Sequence, residues 1–231
     1  MNVEGVAGTL LIVLPLAFNG FFFLLGRRFD YPGILRSPTE EILRRFQAGG
    51  TGLKLLWYGF MLTAVLLAPL AVLLGQVLAR DGLAIVPTAT VVGVLAAVVQ
   101  FLGLARWPFL VPELARAYAD PDATEATRDA TRVAFESFHR YLGIGIGECL
   151  GYLLTGAWTT LVGVAMLQSS AFEPWLGWPG ILIGVFLVVG SLEFVGRFEE
   201  HGWKLAGVIV PITYIGWSLW LILAGLTLLV G

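Results

Sequence analysis

The chain has 231 residues, of which 58% are hydrophobic and 13% charged, with a formal net charge of −2 and a mean hydropathy of +0.85. Soluble domains carry about 25% charged residues, so these values exclude an ordinary aqueous fold, and no basic patch interleaved with aromatics points to nucleic acid. The single cysteine, Cys149, excludes an intramolecular disulfide and a cysteine-rich metal framework.

The N-terminus, MNVEG, has no basic leader region, and no small-residue cleavage pattern follows the first apolar run, so the first helix is expected to stay in the mature chain. Crossing ~30 Å of hydrocarbon takes about 20 apolar residues. Six stretches meet that requirement, 6–26, 55–79, 83–105, 142–168, 175–195 and 205–230, and across them the only acidic or basic residues are Glu148 and Glu193. Backbone groups in lipid have to be satisfied within the segment. The expected fold is therefore all-α: one membrane domain over 1–231, a polytopic bundle of six transmembrane helices with short amphipathic helices in the cytoplasmic loops.

Thirteen of the fourteen Lys and Arg lie in or beside the first, third and fifth loops, leaving only Arg80 for the opposite side. The positive-inside tendency makes those three loops cytoplasmic and puts both termini outside. In the first loop, Ser37, Pro38 and Glu40 form a helix-opening pattern that Gly49 and Gly50 close. Its Ile42, Leu43 and Phe46 share a face, which suits a helix lying on the inner leaflet with Arg44 and Arg45 near lipid phosphate. In the third loop, Asp122 to Glu125 repeats the capping pattern. The helix it starts is expected to carry an apolar stripe of Ala130, Ala134, Phe138 and Tyr141, i,i+4 pairing among Arg132, Glu136 and Arg140, and a direct run into the fourth span.

Within the fourth span Gly143, Gly147 and Gly151 recur every fourth residue, a smooth face for a neighbouring helix. At 100° per residue, Tyr141, Glu148, Tyr152, Thr155 and Thr159 lie within roughly 40° of one another, a polar ribbon that should face protein or water. Glu148 stands roughly 9 Å inside the span. An ionisable group at that depth is costly unless protonated, paired or hydrated, and marks a candidate site. The pocket candidates are Glu148, Tyr152, Thr155, Arg106, Tyr214 and Asn19, with Arg106 the expected charge partner of Glu148. Glu193 is expected to form an i,i+4 ion pair with Arg197. His139 and His201 have no ligand spacing that implies a metal, and no HExxH, GxSxG or P-loop string is present, so neither a metal site nor a cofactor is expected.

The strings RRFDYPGILRSPTEEILRRFQAGG, LWY, RWPFLVPELARAYADPDATEATR, FHRYLGIGIGECLGY and WLGWPG together resemble a bacterial family of membrane proteins known only as a domain of unknown function. That resemblance implies a multi-pass protein of the bacterial cytoplasmic membrane with a similar span count, and no activity. It also implies that histidine often follows the glutamate, where this chain has Cys149. The functional expectation is binding or movement of a small molecule or lipid in a cytoplasm-facing pocket, with membrane lipids as partners. With no inverted repeat visible, transport by so few spans would call for a homo-oligomer. The alternatives are an accessory subunit or sensor in a membrane complex, or an intramembrane enzyme built on Glu148, which would need a second reactive group.

Overall fold

The computed structural model describes residues 2–230, all of whose regular structure is helical. α1 is Val3–Phe29 and α2 is Thr39–Leu78. They are followed by α3, Val86–Phe109, and the short α4, Val111–Ala119. α5, Glu125–Phe138, leads into a π segment, His139–Leu150, which continues directly into α6, Gly151–Met166. α7 is Gly177–Gly190 and α8 is Lys204–Val230. Five continuous helical runs are long and apolar enough to cross a membrane, and the sixth apolar helix, Pro174–Gly190, is shorter.

Neighbours in the chain are neighbours in space. α1 packs on α2, α2 on α3, α3 on the π segment and α6, α6 on α7 and α7 on α8, and α8 returns to α1 to close a ring. Large apolar side chains such as Leu16, Val91, Ile212 and Leu219 stay exposed on the outside. A soluble monomer seldom exposes so much apolar surface, whereas a lipid-facing wall requires it.

Both ends of the bundle are tied by polar contacts. At one end Arg80 pairs with Glu4, and Asp81 accepts from the Ser169 and Ser170 hydroxyls at 2.8 and 2.7 Å and from the Ser170 amide at 3.0 Å. The three basic loops meet at the other end, where Arg132 reaches Glu40, Thr39 donates to Glu136 and Arg140 bonds to Glu199.

Several local expectations change here. α2 runs from Thr39 through both the first-loop helix and the second span, broken only at Gly50, whose φ of 58° and ψ of −152° lie outside helical space. The apolar face of its first part does not lie against lipid. Ile42, Leu43 and Phe46 are buried against Phe29, Trp107 and Phe135. The third-loop helix is capped by Thr124, which accepts from the Thr127 amide, not by Asp122. Its inward residues are Thr131 and Phe135, while Phe138 and Tyr141 are exposed. Arg132 and Arg140 pair outside the i,i+4 pattern, with Asp129, Glu40 and Glu199, because each meets a closer acid across the loop end.

Candidate functional site

The glycine row of the fourth span is the surface on which the site is built. A Cβ at Gly143 would fall 2.6 Å from the Arg106 guanidinium, one at Gly147 3.1 Å from the Gly103 Cα, and one at Gly151 3.2 Å from the Gln100 side chain. Residues 100, 103 and 106 are one face of α3, so each missing side chain along the π segment and the start of α6 makes room for a specific group opposite.

Arg106 is placed by that contact. It is 7% exposed, donates to the Gly103 carbonyl and sits 5.3 Å from the centre of the Trp107 ring. Among the described residues its Nε has no hydrogen-bond partner, and neither have Trp57 Nε1 and His139 Nδ1. Trp107 links all three, stacking on Trp57 at 4.3 Å and meeting His139 edge-on at 6.5 Å. Arg106 and Glu148 are near enough for each charge to act on the other, with Tyr31 and Tyr152 in the same field. Among the described residues, however, no ion pair within 4.0 Å joins Arg106 to Glu148.

The inner part of the polar ribbon turns to its neighbours. Thr155, fully buried, accepts from Gln100 Nε2 at 2.6 Å, and Thr159 accepts from Trp217 Nε1 at 3.0 Å. Tyr152 meets Tyr214 at 5.7 Å between ring centres, and Tyr214 meets Phe18 at 5.8 Å. Beside Tyr214, Gln100 and Trp217 is a cavity of ≈ 10 Å³, about the space one water occupies.

Tyr141 leaves the ribbon and is 65% exposed. The reason is the π winding of His139–Leu150. An i→i+5 spiral turns by roughly 80° per residue instead of 100°, so the seven steps from Tyr141 to Glu148 fall roughly 140° short. Asn19 is exposed too. Its amide bonds Pro15 O at 2.7 Å and Ser218 Oγ at 2.9 Å, stitching α1 to α8 rather than lining the cluster.

The expected Glu193–Arg197 ion pair is absent. α7 stops at Gly190, so the two residues no longer share a helix face, and Arg197 lies 4.7 Å over the Phe198 ring. The cation acting on Glu193 is Arg36, from the first loop. Among the described residues no three of His, Cys, Asp and Glu come together as metal ligands.

A family-wide sequence model described as a domain of unknown function, DUF4386, matches residues 6–225. The chain belongs to the DUF4386 family. No curated protein and no solved structure matches it. In this DUF4386 chain the cluster also contains residues that the sequence reading passes over. Tyr31 comes from a loop and carries no periodic signal. Gln100, a lone amide in an apolar span, could have been found by asking which polar side chain would otherwise face lipid.

Proposed function

We propose that this protein is a multi-span protein of the bacterial cytoplasmic membrane, both termini outside, that binds or moves a small molecule or lipid through the polar interior around Glu148. The observation that carries the reading is a carboxylate and a buried arginine held near each other without an ion pair, inside a bundle whose outer wall is apolar. Unpaired ionisable groups at such depth cost several kcal/mol, which a ligand bridging Arg106, Tyr152 and Glu148 would offset. The basic loops, gathered at one end, support a cytoplasmic position for that end.

The cavity beside Tyr214, Gln100 and Trp217 holds about one water, and the ligand would reach Glu148 by movement of the π segment off α3. That contact is mostly glycine against backbone and interlocks no side chains at Gly103 and Gly147. The test is mass spectrometry of small molecules and lipids retained by the protein extracted from native membranes, comparing wild type with Glu148→Gln. The variant should fold as wild type does and lose a retained species. Retention of the same species by both would refute the reading. The tight interior also favours a second one, an accessory subunit, for which the retained species would be another protein, indifferent to Glu148→Gln.

A further inference from the structure

An open groove of ≈ 440 Å³ lies at the basic end, between the first part of α2 and the α4–α5 connection, lined by Pro38, Glu40, Glu41, Arg44, Tyr118 and Arg128 among others. That volume falls in the range of small-molecule sites, whereas the interior cavity does not.

The charges around the groove are unequally committed. Glu41 is paired with Arg45 at 2.7 Å, and Glu40 with Arg132 at 3.1 Å. Arg44 and Arg128, both exposed, have no ion-pair or hydrogen-bond partner among the described residues. The two acidic groups in the lining are thus each compensated from outside it, while two guanidinium groups from different elements remain to meet whatever enters. α2 begins at this wall, at Thr39 after Pro38, and Glu40 and Glu41 in its first turn offset the positive end of the helix, so the two arginines carry the uncompensated positive charge of the groove.

A cation would face two free arginines and carboxylates already paired with Arg45 and Arg132, and an apolar guest would leave the arginines unused. From this arrangement we propose that the groove is a binding site for a phosphate-bearing ligand, gripped by Arg44 and Arg128 with the Tyr118 hydroxyl beside them. Guanidinium groups suit this because their planar donor forks match phosphate oxygens two at a time. The ligand is either a free phosphorylated molecule or the headgroup of an anionic lipid. The site is separate from the Glu148 cluster and does not depend on it.

The experiment has two arms at low ionic strength, since exposed charges are screened by salt. In detergent, inorganic pyrophosphate is titrated calorimetrically into wild type, Arg44→Gln, Arg128→Gln and Arg116→Gln. In mixed micelles of phosphatidylglycerol and phosphatidylcholine, bound lipid is counted by native mass spectrometry on the same set. Loss of Arg44 or Arg128 should weaken capture about tenfold or more. Arg116→Gln should behave as wild type, because Arg116 is already paired with Glu113. Capture of pyrophosphate identifies a free ligand, and selective retention of phosphatidylglycerol alone identifies a headgroup. Capture of neither, or capture that survives the Arg44 and Arg128 substitutions, overturns the proposal. All three arginine positions are exposed or paired at the surface, and an unchanged melting temperature in each variant separates lost binding from lost fold.

Discussion

Replacing Gly103 by alanine tests the contact on which the whole candidate site rests. A Cβ there would lie 2.5 Å from the Gly147 Cα and 3.0 Å from the Leu142 carbonyl oxygen, both backbone atoms that no rotamer change can move. Carbon atoms pack at about 3.5–4.0 Å, so α3 and the π segment would have to separate by about 1 Å. Overpacking of that kind costs about 1–3 kcal/mol, and the better helix propensity of alanine returns roughly 0.5–1 kcal/mol. Gly103→Ala should therefore destabilise by about 1–2 kcal/mol. Gly145, in the same segment, is the internal comparison, since its Cβ would meet nothing nearer than the Arg140 carbonyl at 3.7 Å. Gly145→Ala should be neutral or stabilise by up to about 1 kcal/mol. Reversible unfolding of both variants in mixed micelles, followed by far-ultraviolet circular dichroism, gives the two differences. If Gly103→Ala unfolds with or after wild type, or if both alanines cost the same, the close backbone approach of α3 to the π segment is refuted.

Cysteines placed at Arg45, Arg128 and Glu200 should react only with reagent admitted to the cytoplasm, and one at Arg80 only from outside. Labelling of Arg80 and Arg128 from the same side would contradict the topology. Thr159→Val should cost about 1–3 kcal/mol by leaving the buried Trp217 N–H without an acceptor; adding Trp217→Phe should make the loss smaller than the sum of the single changes, and strict additivity in that double-mutant cycle would argue against the hydrogen bond. Asp81 supplies a pH dependence. The Ser170 hydroxyl first, then the Ser169 hydroxyl and the Ser170 amide, hold its carboxyl below the usual range. A carboxyl depressed in the folded state stabilises above its unfolded pKa, and that contribution fades as pH falls through the folded value. Melting temperatures of wild type and Asp81→Asn should thus differ near neutrality and converge under acid, and a constant offset down to the lowest pH would count against the clamp.

The spans are legible in the sequence because an apolar run of that length has one economical fate, and the facing row of Gly143, Gly147 and Gly151 is legible because close approach needs small residues at helical spacing. Two of the misses share a cause, the use of ideal α geometry where the chain departs from it. The ribbon calculation carries Tyr141 along at 100° per residue, and the π winding sends it outward. The Glu193–Arg197 pair assumes a helix that in fact ends at Gly190. The first-loop helix shows its amphipathic face plainly, but only the fold reveals that Phe29 and Trp107, rather than lipid, lie against it. Tyr31, Gln100 and the orphaned atoms of Trp57 and His139 join the cluster through tertiary contact alone, and no spacing along the chain announces them.

The twelve residues of the π segment also separate length from aim in this span. A wider spiral stores more chain per turn than the α-helices on either side of it, so it is in effect a reserve of slack. Loss of a single residue between positions 139 and 150 can be absorbed by drawing one π turn tighter, leaving α6, with Thr155 and Thr159, seated where it is. A comparable deletion within α3 would swing every later side chain by about 100° and empty the row of contacts opposite the glycines. A one-residue change in length ahead of Gly143 should therefore disturb the bundle far less than one between Gln100 and Arg106.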